Sequence, residues 1–221
     1  MEAGPFEVKS CALIVRMDGL PSAVNLRELR DRVGRCTAES IYHHFIEHLL
    51  RPTFTEPEFT NDLAGWAYRA LGDQVLAERL ANLDPFAASI EDLRLNIIEV
   101  LEERLGEVEH HPSVARGKGF YFMRASIVVF DTGMRIQKPE DILGALRKMT
   151  RRSLYFHFVE GRARHHGGPD DFSDWLQAGG ELGRRLAKAL ASVDVQFFSL
   201  RALKNELIRR SREVIGGGEG K

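Results

Sequence analysis

At 221 residues with 43% hydrophobic side chains, the chain is long enough to bury one large core or two small ones. Its longest unbroken apolar run near the N-terminus, Cys11 to Val15, is too short for a membrane span or a signal-peptide core. This excludes a membrane protein and makes the cytoplasm the expected location. The net charge of −1 conceals a division, since residues 1–113 hold 11 Lys/Arg against 20 Asp/Glu (net −9) and residues 114–221 hold 20 against 12 (net +8).

The chain opens with a predicted strand through Phe6, Val8 and Ala12 to Val15, rich in β-branched and apolar side chains. Leu26, Leu29 and Val33 then recur at helical period, and Thr37 stands at the N-cap of a second helix. Asn61-Asp62 caps a third helix carrying Trp66, and a fourth is predicted near residues 73–83. A fifth follows Ser89, which with Asp92 forms a capping-box pattern. Cys11 and Cys36 lie outside any CxxC or metal-ligand spacing and are expected to behave as small core hydrophobes. His110-His111-Pro112 and Gly117-Lys118-Gly119 mark a linker over residues 109–119. The Gly-Lys-Gly lacks both the spacing and the following Ser/Thr of a phosphate loop.

After the linker the order repeats. Thr37-Ala38-Glu39-Ser40-Ile41-Tyr42-His43-His44-Phe45-Ile46-Glu47 returns 113 residues later as Thr150-Arg151-Arg152-Ser153-Leu154-Tyr155-Phe156-His157-Phe158-Val159-Glu160. Asp62 and Trp66 return as Asp171 and Trp175 at a spacing of 109, and Leu76, Leu80 and Asp84 as Leu186, Leu190 and Asp194 at 110. The spacing changes between Glu47 and Asp62, where the second copy has the shorter loop, and loops tolerate such changes. Phe120, Phe122 and Ser126 to Val129 form the second strand, Ile142 and Leu146 echo the first helix, and Asp170-Asp171 and Ser199 echo the later caps. The expected fold is therefore α+β and predominantly helical. It comprises two tandem repeats of one strand and about five helices each, related by an approximate pseudo-twofold. A lone strand cannot satisfy its own backbone, so the two strands are expected to pair. The organisation reads as an acidic repeat 1–108, the linker 109–119, a basic repeat 120–215, and a disordered tail 216–221, with fusion into one compact domain as the alternative.

On a helical wheel Ile41, Tyr42, Phe45, Ile46 and Leu49 share one side, while Ser40, His44 and Glu47 form a stripe opposite, with His48 beside them. The second copy keeps Ser153, His157 and Glu160, with Tyr155 matching Tyr42. His and Glu three apart face the same way on a helix. The bland reading is a hydrogen-bonded pair that docks neighbouring helices. The sharper reading is a metal site from His44, Glu47, His48, His157 and Glu160, or an acid–base pair. Trp66 and Trp175 read as aromatics packed in the first turn of a capped helix, or else as the wall of a ligand site. Arg147, Lys148, Arg151 and Arg152 cluster as candidate anion-binding residues. No nucleic-acid motif accompanies them, so an acidic protein surface is the favoured partner over nucleic acid.

The combination Ser40-Ile41-Tyr42-x-His44, Asn61-Asp62-Leu63-Ala64-x-Trp66, Leu76-Ala77-Glu78-Arg79-Leu80, Asp84, Leu93-Arg94 and Ile97-Ile98 resembles the bacterial and archaeal domain-of-unknown-function family 5752. The likeness covers nearly all of the first copy and, more loosely, the second, which departs where Phe156 replaces His43 and Lys188-Ala189 replaces Glu78-Arg79. It supplies no activity and leaves any cofactor unknown. The expectation is a non-enzymatic binding or scaffolding module that meets a protein partner, or itself, through oppositely charged halves. A metal- or ligand-dependent enzyme using the repeated His-x-x-Glu pairs, and anion or nucleic-acid binding through the basic second repeat, are the alternatives.

Overall fold

The computed structural model describes residues 4–50, 59, 61–86, 89–110, 113–165, 168–195 and 198–216, the side chain of His48 excepted. The loop 51–57, His111-Pro112 of the linker and the tail 217–221 lie outside the described residues. The described chain is α+β and predominantly helical, with strands β1 (Phe6–Met17) and β2 (Met123–Ile136) paired in a two-stranded sheet as expected. It divides into two compact units: a split unit of residues up to Ala12 together with Ile127 onward, and a continuous unit from Leu13 to Ser126. Each unit thus takes a strand segment from one half of the chain and its helices from the other.

In the continuous unit α1 (Leu26–Val33) starts at Asn25, whose side chain accepts the Glu28 N–H, and it buries Leu26, Leu29 and Val33. Thr37 caps α2 (Ala38–Phe45) as predicted, and the Asp18 carboxylate accepts both the Thr37 N–H at 3.0 Å and its hydroxyl at 2.8 Å. Asn61 caps α3 (Asp62–Trp66), which runs on into a wider π-helical turn, Ala67–Leu71. Gly72 ends that turn at φ 69°, a left-handed conformation that suits glycine. Asp73 caps α4 (Gln74–Ala81), and the Ser89–Asp92 capping box opens α5 (Ile90–Glu107), both bonds of the box being present. Leu29, Leu76, Leu80, Ile97 and Leu101 are fully buried, and α5 closes this core over α1, α2 and α4. Cys36 is buried too, and burial raises its thiol pKa against the pull of the nearby Arg94. This is an inert core position.

In the split unit α6 (Ile142–Lys148) is followed by one continuous helical stretch. It comprises α7 (Arg151–Leu154), a π-helical turn over Tyr155–Glu160, and α8 (Gly161–Arg164). Helices α9 (Asp171–Gln177), α10 (Gly180–Ala191) and α11 (Leu200–Gly216) complete the unit around Phe158, Phe172, Leu186, Leu190, Leu203 and Leu207. Helix α10 approaches α9 so closely that a Cβ on Gly183 would lie 2.3 Å from the Leu176 carbonyl oxygen. Backbone cannot yield there as a flexible side chain can. Gly183→Ala should therefore cost about 2–3 kcal/mol, the upper part of the overpacking range, seen as a fall in Tm by calorimetry.

Candidate functional site

The recurring histidines are held alike in the two units. In the continuous unit His44 Nδ1 lies 2.6 Å from Asp62 Oδ2, and its Nε2 accepts the Met123 N–H at 2.9 Å. In the split unit His157 Nδ1 lies 2.8 Å from Asp171 Oδ2, and its Nε2 accepts the Lys9 N–H at 2.8 Å. An imidazole nitrogen that accepts from a backbone N–H carries no proton, so Nδ1 holds the hydrogen and donates it to the carboxylate. Each ring is therefore a neutral bridge between an aspartate and a strand. Aromatic rings pack around both: Phe120 and Phe122 lie 4.7 and 6.1 Å from the His44 ring, and Phe6 and Phe172 lie 4.8 and 5.3 Å from His157. The tryptophans follow the same plan. Trp66 Nε1–H donates to the Lys118 carbonyl at 2.7 Å and Trp175 Nε1–H to the Gly4 carbonyl at 2.8 Å.

Glu47 and Glu160 are not the partners of these histidines. Glu47 is buried, its carboxylate Oε2 lying 2.8 Å from His43 Nδ1. Phe156 stands where His43 would be in the split unit, so that pair exists once. The polar stripe is not a surface stripe either, because Ser40, His43, His44 and Glu47 are all buried. Ser153 and Tyr155 are buried as well, the Ser153 hydroxyl lying 2.9 Å from that of Thr150, and Tyr42 is half-buried. The His48 side chain lies outside the described residues. Among the described residues no group of three or more His, Cys, Asp or Glu side chains is gathered where it could hold a metal ion. Arg147, Lys148, Arg151 and Arg152 are exposed on α6 and α7, and none forms an ion pair among the described residues.

A polar centre whose arginine the sequence did not single out surrounds the cap of α9. Asp170, fully buried, caps α9 by accepting the Ser173 N–H at 3.0 Å and the Ser173 hydroxyl at 2.7 Å. Arg162 lies 3.7 Å away and donates to the Val193 carbonyl at 2.9 Å and the Ala191 carbonyl at 3.1 Å. Burial pushes the Asp170 carboxyl above its ordinary pKa, the Ser173 bonds and Arg162 opposing, and burial likewise depresses Arg162. In the continuous unit one neutral residue does both jobs: Asn61 accepts the Ala64 N–H at 2.8 Å and donates to the Leu80 carbonyl at 2.9 Å.

The split unit opens a cleft of about 670 Å³ beside His157. Its wall includes Phe6 and Lys9 of β1, Val129 of β2, Phe156 and Glu160 of the π-helical turn, Arg164 of α8, and Asp171 and Trp175 of α9. Sequence-derived candidates His157, Glu160 and Trp175 thus meet at one place, whereas Ser153 and Tyr155 lie below in the core. Arg164 Nη2 reaches both Asp171 oxygens, at 2.9 and 2.8 Å, and its guanidinium carbon lies 4.5 Å from the Phe156 ring centroid. Burial works against ionisation of Asp171, but the His157 hydrogen bond and the Arg164 charge prevail and hold its carboxyl below the ordinary value.

Fold and site together define a helical α+β protein in which aspartate-held histidines clamp strand backbone, one of them, His157, beside an open cleft of mixed apolar and acidic lining. The chain belongs to the Family of unknown function (DUF5752), whose sequence profile matches residues 3–212. A solved structure, that of OrfY from Thermoproteus tenax, is similar over 98% of each chain, at 27% identity and a TM-score of 0.80. No curated protein sequence matches the chain. No helix among the described residues is long and apolar enough to cross a membrane.

Proposed function

We propose that this chain is a non-enzymatic binding module, built by duplication of one unit, whose recognition surface is the cleft of the split unit. The carrying observation is that both ring nitrogens of His44 and of His157 are committed, one to a carboxylate and one to a strand N–H. A nitrogen whose lone pair holds a backbone amide cannot accept a substrate proton or ligate a metal without releasing the strand. Duplication is supported by the matched bonds themselves, since Lys9 and Gly4 serve in one unit as Met123 and Lys118 serve in the other, each 114 residues on. A binding module needs a concave, partly apolar wall with a few fixed polar groups, and the cleft supplies it.

Ligand-observed NMR with a mixed set of small amines, acids and neutral heterocycles tests this reading. In Trp66→Phe protein the only indole is Trp175, so cleft ligands should change its emission, and Trp175→Ala should abolish their binding. The absence of any ligand, or ligands that leave Trp175 unmoved, sinks the cleft as recognition surface.

Charge favours a second, compatible reading, self-association. The continuous unit holds 13 Lys/Arg and 18 Asp/Glu (net −5), and the split unit 18 and 14 (net +4). Sedimentation velocity should show association that weakens as salt rises from about 0.05 to about 0.5 M, where charges are screened within a few ångströms. A sedimentation coefficient indifferent to salt would count against it.

A further inference from the structure

We infer that the cleft of the split unit takes an organic cation, an ammonium group on an apolar stem; this rests on the binding role proposed for that cleft. Its lining carries four carboxylates, Glu7, Glu160, Asp171 and Asp174, against one lysine and one arginine, although the unit around it is net positive. Of the two cations, Arg164 is held by both oxygens of Asp171, and Lys9 forms no ion pair among the described residues, so four carboxylates against two cations leave the lining net negative. Among the remaining acids Glu7 has Arg135 only at 3.6 Å, and Asp174 is exposed. Donors for an anion are scarce, because His157 Nδ1–H is given to Asp171 and the Trp175 N–H to Gly4.

Apolar walls of Phe6, Val129 and Trp175 lie beside these acids. With its N–H engaged, Trp175 has only its π surface to offer, and a π surface attracts cations. The protein itself shows the environment such a ligand would meet: the Arg164 guanidinium sits between the Asp171 carboxylate and the Phe156 ring in this same wall. A volume of about 670 Å³ is ample for a linear amine. The ammonium can come from a free polyamine or from a lysine side chain of another polypeptide.

The test uses Trp66→Phe protein and three probes: cadaverine, glutarate, which is its acidic counterpart of equal chain length, and N-acetyl-lysine methylamide. Cadaverine should change Trp175 emission saturably, and Glu7→Gln with Asp174→Asn should weaken it by about tenfold or more. Tighter binding of the lysine derivative assigns the source to a protein, and tighter binding of cadaverine assigns it to a free amine. Glutarate binding as well as cadaverine overturns the inference while leaving the cleft a binding site, as does a cadaverine response that the double variant leaves unchanged. Silence toward all three, with other small molecules still moving Trp175, overturns the inference alone. Silence toward the whole mixed set removes the cleft reading with it.

Discussion

Replacing Arg162 with leucine should destabilise the protein by about 3–5 kcal/mol at neutral pH, and adding Asp170→Asn should restore most of that loss. The single change leaves a fully buried carboxylate with only Ser173 to answer it. The double change installs what the continuous unit already uses at the same places, Leu49 and Asn61, where the amide both caps the helix and reaches the Leu80 carbonyl. Asp170→Asn alone should cost less than Arg162→Leu, since the Arg162 charge keeps the field of Asp194 and its backbone carbonyl partners. Urea denaturation of the three variants closes a double-mutant cycle, and additive losses would refute the exchange. The sign with pH follows from burial. Asp170 has a raised folded-state pKa, so it weakens folding as pH rises through that value and ceases to do so as pH falls. The Arg162→Leu deficit should accordingly shrink as the pH is lowered from neutral.

His157→Ala should cost about 3–5 kcal/mol, from an emptied ring site and from the buried groups it leaves unmatched. The Lys9 N–H would lose its acceptor, and Phe6, Phe156 and Phe172 would lose the ring they pack against. His157→Gln should cost less, because its amide oxygen reaches near the Nε2 position and can take the Lys9 N–H. Amide exchange at Lys9 reports the clamp directly: it should accelerate strongly in the alanine variant and modestly in the glutamine variant. Equal exchange in wild type and His157→Ala would show that the strand is held by something else.

How much of this was legible in the sequence depended on how local each interaction is. Thr37, Thr150, Asn61, Asp170 and the Ser89–Asp92 box act within three residues, so residue type and position were enough to place them. The histidines were found because they recur, yet helical spacing pointed to Glu47 and Glu160. Their carboxylates come instead from the first residue of the next helix, 18 positions on from His44 and 14 on from His157. That difference of four is the loop deletion itself, so Asp62 and Asp171 move with the loop while still meeting their histidine; this concerted shift was the available signal. Strand placement left no such trace. Alternation of Phe6 and Val8 is the same whichever helices receive them, and the cleft gathers residues from both ends of the chain. The charge division of −9 and +8 is milder in the folded units, at −5 and +4, because the strand segments and the linker cross over.

The split unit has a consequence for the order of manufacture. Residues 6–12 leave a ribosome more than a hundred residues ahead of the rest of their unit, which begins at Ile127. At ~5–20 residues per second this strand waits on the order of ten seconds, uncovered, while residues 13–126 already have every segment of their own unit. A nascent-chain partner that shields residues 6–12 should therefore raise the yield of native protein more than one acting on residues 13–126.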